Sequence, residues 1–86
     1  MPIISTFFGV IVRMYFGDHN PPHFHVEFRG ERATFNFNGD LVAGHISSGT
    51  ARKLIREWAR RHRLELMINW KNIEKGRPLN RIRPLE

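Results

Sequence analysis

Residues 23–46 read HFHVEFRGERATFNFNGDLVAGHI. Phe24, Val26 and Phe28 alternate with His23, His25 and Glu27, the period of a strand with one apolar and one polar face. Arg29-Gly30-Glu31-Arg32 is a tight connection. Ala33, Phe35 and Phe37 then resume the apolar face, with Thr34 and Asn36 outward. Asn38-Gly39-Asp40 is a hairpin turn, because Asn-Gly supplies the positive φ values such turns need. Leu41 to Ile46 returns as a further strand. Upstream, Phe8, Val10, Val12, Met14 and Phe16 also recur at period two and predict one strand over Phe8–Phe16. Gly17 to Pro22 breaks it, since neither proline donates to a ladder. The expectation is a four-stranded antiparallel meander.

Ser47-Ser48 offers an N-cap. Ala51, Leu54, Ile55, Trp58, Ala59, His62, Leu66, Trp70 and Ile73 follow at intervals of about three to four residues, one apolar helical stripe. Leu64, Met67 and Ile68 fall off that stripe, so the helix either bends near His62 or is covered on more than one side. Gly76 and Pro78 end it. The expected architecture is α+β: a single domain over 1–86, with sheet at 3–46, one long or bent C-terminal helix at 48–75, and an extended tail at 76–86. Leu79, Ile82 and Leu85 give the tail apolar anchors.

With 86 residues, the chain has room for one core. A domain of this size buries roughly 60% of its unfolded surface, which leaves a homodimer or another partner as a source of further stability. The absence of cysteine excludes disulfide frameworks, iron–sulfur sites and thiol catalysis. The apolar start lacks a basic leader region and is interrupted at Arg13. It falls short of the ~20 residues that span a bilayer, so a cytoplasmic protein is expected, with no membrane partner.

The net charge of +6 is unevenly placed. Residues 1–50 hold three Lys/Arg against four Asp/Glu, whereas residues 51–86 hold eleven against four. Arg52, Arg56, Arg60 and Arg63 form a ridge beside the apolar stripe, broadened by Lys53 and Arg61, with only Glu57 opposing them between 51 and 63. Such a ridge suits a phosphate backbone through bidentate contacts and counterion release. It also suits an acidic partner protein. No Gly-rich phosphate loop or helix-turn-helix spacing is present, so backbone binding to RNA or DNA is expected rather than base reading. Arg13 shares a strand face with Tyr15 and joins the candidate binding residues.

The stretch Asp18–Phe28 concentrates three of the five histidines. Alternation places His23 and His25 on one face about 7 Å apart at the backbone. With Glu27 they form H-x-H-x-E, a set that can hold a divalent metal, for which Asp18 or His19 could supply a further ligand. Alternatively His19, His23 and His25 act as general acids and bases in RNA cleavage, with an arginine stabilising the transition state. The plainer reading, favoured over a metal, makes the segment a corner stiffened by Pro21-Pro22, with Asp18 and Asn20 capping the turn. No cofactor is called for. His62 lies on the apolar stripe and is expected to face the sheet, or else to complete the histidine group.

Four segments point to a family: M-P-I-I-S-T-F-F-G at the start, R-M-Y-F-x-D-H-N-P-P-H-F-H, E-W-A-R-R-H-R on the helix, and G-R-P-L-N-R-I-R-P-L at the close. Together they resemble the bacterial family called domain of unknown function four-one-six-zero, over essentially the whole chain. The resemblance implies a small stand-alone protein, encoded beside another small protein in a toxin–antitoxin-like pair. It carries no catalytic residues with it.

Overall fold

A computed structural model describes residues 2–86; Met1 lies outside the described residues. Five strands form one antiparallel meander: β1 (Ile3–Phe7), β2 (Val10–Arg13), β3 (His23–Phe28), β4 (Glu31–Asn36) and β5 (Leu41–Gly44). The expected four strands become five because Ile3–Phe7 forms an additional strand, and the strand expected over Phe8–Phe16 shortens to Val10–Arg13. Phe8 and Gly9 take φ values of 48° and 83°, a turn pairing Phe7 with Val10 and folding β1 onto β2. Two consecutive positive φ values are what a two-residue hairpin with the sheet's own twist requires. Val10, Val12 and Met14 are buried as the alternation predicts, whereas Phe8 and Phe16 are exposed.

The β3 expectation holds along its length. Phe24, Val26 and Phe28 are buried and His23, His25 and Glu27 lie on the opposite, half-buried face. Phe24 stacks on Phe35 at 5.8 Å and meets Trp58 edge-on at 5.5 Å, so the aromatic side of β3 and β4 is the helix-facing side. Gly39 is the tightest point of that packing. With φ at +84° it closes the β4–β5 turn, and a Cβ there would stand 2.6 Å from the Cα of Arg56.

The single long or bent helix is in fact two: α1 (Gly49–Arg61) and α2 (Arg63–Lys75), broken at His62 (φ −115°, ψ 25°). Ser48 Oγ accepts the Ala51 amide hydrogen at 3.1 Å, the expected cap. The break explains the off-stripe residues: Leu64 and Ile68 are simply exposed, and Met67 is partly buried. Gly76 in the left-handed region closes α2, and Arg77 N–H returns to Asn72 O at 2.8 Å. The tail is extended and pinned. Ile82 N–H donates to Ile4 O, Trp58 Nε1 donates to Arg83 O, and the buried amide of Asn69 exchanges two hydrogen bonds with the Asn80 backbone. Ile82 and Leu85 bury beside the sheet, in the same apolar cluster as the helices.

Candidate functional site

After β2 the chain turns through Met14–Pro22, and its local chemistry aims one carboxylate at two histidines. Asp18 N–H bonds to Tyr15 O, and Asp18 Oδ2 lies 3.4 Å from Tyr15 N, which holds the side chain against the sheet. The Asn20–Pro21 peptide is cis. Asn20 Oδ1 accepts the indole hydrogen of Trp70 at 3.1 Å, tying this loop to α2. Trp70 also packs on His23, with ring centroids 5.3 Å apart.

Asp18 Oδ2 lies 3.1 Å from His25 Nε2 and 3.5 Å from His23 Nε2. On its other side, His23 Nδ1 lies 2.8 Å from Pro21 O. A carbonyl oxygen only accepts, so Nδ1 of His23 carries the hydrogen, and in the neutral ring Nε2 is the lone-pair nitrogen. Tyr15 packs edge-on against His25 at 4.8 Å and the two imidazoles lie 5.1 Å apart. All three side chains are partly open to solvent, His25 the most at 32%.

His25 leads from this group into a concavity of about 260 Å³ on the open face of the sheet, lined also by Arg13, Tyr15, Glu27, Arg32 and Thr34. Arg13 donates to Glu27 at 2.8 Å. That hydrogen bond is the main reason the Glu27 carboxyl sits below the usual carboxylate range, against a smaller opposing effect of desolvation. Glu31 is lowered as well, first by the Ser47 amide and then by the Ser47 hydroxyl.

The structure thus separates the sequence candidates. His23 and His25 meet, and the third member is Asp18 rather than Glu27, which Arg13 holds. His19 is exposed and outside the group. His62 does not join it either: its Nδ1 is 2.6 Å from Glu65 Oε1, and its ring lies beside Trp58 at 5.8 Å. It is half-buried on the α1–α2 corner against the buried Trp58, and the expectation that it completes the cluster is not met. Sequence reading missed Trp70, taken only as core, and Tyr15 as a wall of the histidine site.

On α1 the basic ridge is exposed at Arg52, Lys53, Arg56, Arg60, Arg61 and at Arg63 just beyond. Arg52 donates to Ile46 O, Arg60 Nε to Asn38 O at 3.2 Å, and Arg63 to Asn38 Oδ1. Among the described residues of the ridge, Arg56 and Arg61 form ion pairs, with Asp40 at 3.6 Å and Glu57 at 3.2 Å, and Arg52 acts at longer range on Glu31. His23 pairs with Asn36 across the β3–β4 ladder, two residues from the Asn38 that Arg60 and Arg63 hold. The end of the ridge and the histidine group therefore share one end of the sheet.

A family model described as Domain of unknown function (DUF4160) matches residues 9–71. The chain belongs to the DUF4160 family. The matched span includes Asp18, His23, His25, all of α1 and most of α2, and leaves β1 and the tail outside. No curated protein and no solved structure matches the chain. Among the described residues, no helix is long and apolar enough to cross a membrane.

Proposed function

We propose that this DUF4160 protein binds the sugar–phosphate backbone of nucleic acid along α1, as one component of a toxin–antitoxin-like pair. One observation carries the reading: three ridge arginines are held by neutral oxygens. Arg52, Arg60 and Arg63 are positioned by carbonyls of Ile46 and Asn38, so their side chains are held in place without an ion pair, although Arg52 also acts on the Glu31 carboxylate. Fixing a long side chain in advance removes part of the entropy that binding would otherwise cost, and an unneutralised guanidinium forks onto a phosphate. A purely solubilising helix pairs its cations with acids four residues away, and here the Glu57–Arg61 pair alone does so.

The same ridge fits an acidic protein, and salt separates the two readings. Release of condensed counterions makes log K against log[salt] fall by about 0.7 per phosphate contacted on a single strand. Single-stranded RNA and duplex DNA titrated at several salt concentrations, beside a polyglutamate control, supply the test. Retention of neither nucleic acid at low salt overturns the proposal, and equal affinity for polyglutamate favours the protein partner.

A second reading, RNA cleavage at the histidine group, draws on the convergence of Asp18, His23 and His25 at a solvent-open rim. Its check is whether purified protein cleaves RNA and the His23→Ala/His25→Ala double variant does not.

A further inference from the structure

We propose that Asp18, His23 and His25 bind one first-row divalent cation through the Asp18 carboxylate, His23 Nε2 and His25 Nε2. The proposal stands on the cluster itself and is independent of nucleic-acid binding by α1.

Three observations lead there. The first is spacing. Ligand atoms of the three residues lie within 4.8 Å of one another, with 3.1 and 3.5 Å from Asp18 Oδ2 to the two Nε2 atoms. Donors about 2.0–2.1 Å from one ion stand about 3.4 Å apart at tetrahedral angles and about 3.0 Å apart as cis octahedral neighbours. The observed separations are those of two edges of a coordination shell.

The second is the tautomer. Because His23 Nδ1 donates to Pro21 O, its Nε2 in the neutral ring turns a lone pair toward a carboxylate oxygen 3.5 Å away. Two lone pairs facing each other repel, and a cation between them relieves this, with His25 Nε2 at 3.1 Å from the same oxygen placed to share it. A histidine that binds metal through one nitrogen ordinarily donates its other N–H to a carbonyl or carboxylate, which fixes the ring and raises ligand basicity. Pro21 O supplies that partner. The corner at Pro21-Pro22 thereby gains a role beyond turning the chain.

The third is support and access. Trp70 backs the His23 ring and Tyr15 backs the His25 ring, so neither imidazole is free to swing. Yet the group is open to solvent and to the concavity beside Arg13 and Tyr15. Three protein ligands with open positions is the pattern of a reactive centre, and two histidines with one carboxylate suit Zn(II), Mn(II) or Fe(II). A proton shared between His23 and Asp18 is the rival resolution of the same repulsion, and it predicts no metal uptake.

The experiment is calorimetric titration of Zn²⁺ into the full-length, tag-free protein after chelator treatment, with Co²⁺ absorption as a spectroscopic probe. The expected result is saturable 1:1 uptake and a Co²⁺ d–d band. Asp18→Asn, His23→Ala and His25→Ala should each weaken uptake by at least about 100-fold, the upper range for losing even an outer partner of a metal site. Glu27→Gln, His45→Ala and His62→Ala should leave it unchanged. Asp18→Asn is nearly isosteric and keeps an oxygen for the Tyr15 amide, so it reports on ligation even where a histidine variant unfolds; circular dichroism checks each fold. No saturable uptake by the wild type overturns the proposal. So does uptake that survives Asp18→Asn and His23→Ala, or that falls equally in the Glu27 and His62 variants.

Discussion

Replacing Gly39 with alanine separates backbone strain from the seating of α1 on the sheet. Gly39 has φ +84°, and an added Cβ would lie 2.6 Å from Arg56 Cα and 3.0 Å from its Cβ. Gly30 has a similar φ of +80° but nothing within 4 Å of a Cβ. Gly30→Ala therefore costs only the left-handed backbone strain, about 1–2 kcal/mol. Gly39→Ala carries the same strain plus an overpacking cost of about 1–3 kcal/mol, because the obstacle is helix backbone rather than a movable side chain. Against a total stability of roughly 4–13 kcal/mol for a chain of this length, the sum is large. Each kcal/mol lowers Tm by about 4–8 °C in a domain of this size, so Gly39→Ala should melt at least about 4 °C below Gly30→Ala. Circular dichroism melts of the two variants under identical conditions are the assay. Equal melting temperatures would refute the close approach of α1 to the β4–β5 turn.

Two other perturbations probe the site's surroundings. Glu27 and Glu31 have pKa values lowered from 4.5, so the stability they contribute is complete above that value and is lost as pH falls below it. Urea midpoints of Glu27→Gln/Glu31→Gln against wild type should converge as pH drops below about 4; an unchanged gap between pH 7 and 3 contradicts the pairing of Glu27 with Arg13 and of Glu31 with Ser47. Trp70→Phe keeps an aromatic ring beside His23 but removes the hydrogen bond to Asn20. It should cost about 1–2 kcal/mol in chemical denaturation and raise amide exchange at residues 18–20, whereas unchanged exchange there would mean the indole does not hold the loop.

What could be read from the residues follows the range of the interactions. The polar–apolar alternation of β3, the Ser48 cap and the Gly76 terminus are local, and each stands where the pattern puts it. The Phe8–Gly9 turn was hidden because a phenylalanine with φ 48° occupies a position ordinarily marked by Asn, Asp or Gly. Its cost is met by burying Ile4 and Phe7 from the extra strand. The helical stripe put a bend near His62, where α1 and α2 are in fact separated, but left open whether the helix bends there or is covered on more than one side. At the site, strand alternation brought His23 and His25 to one face. The choice of Asp18 over Glu27 was illegible, because it is decided by Arg13 across the β2–β3 ladder and by a loop anchored on Trp70, fifty residues away in sequence.

The most direct test of nucleic-acid binding is the salt dependence of affinity for single-stranded RNA in the wild type and in Arg52→Gln/Arg60→Gln/Arg63→Gln. The wild type should show a steep negative slope of log K against log[salt], and the triple variant a slope shallower by about 2, or about 0.7 for each phosphate contact removed. A wild type that binds no RNA at low salt, or a triple variant with the wild-type slope, contradicts the assignment of the α1 arginines to a phosphate backbone.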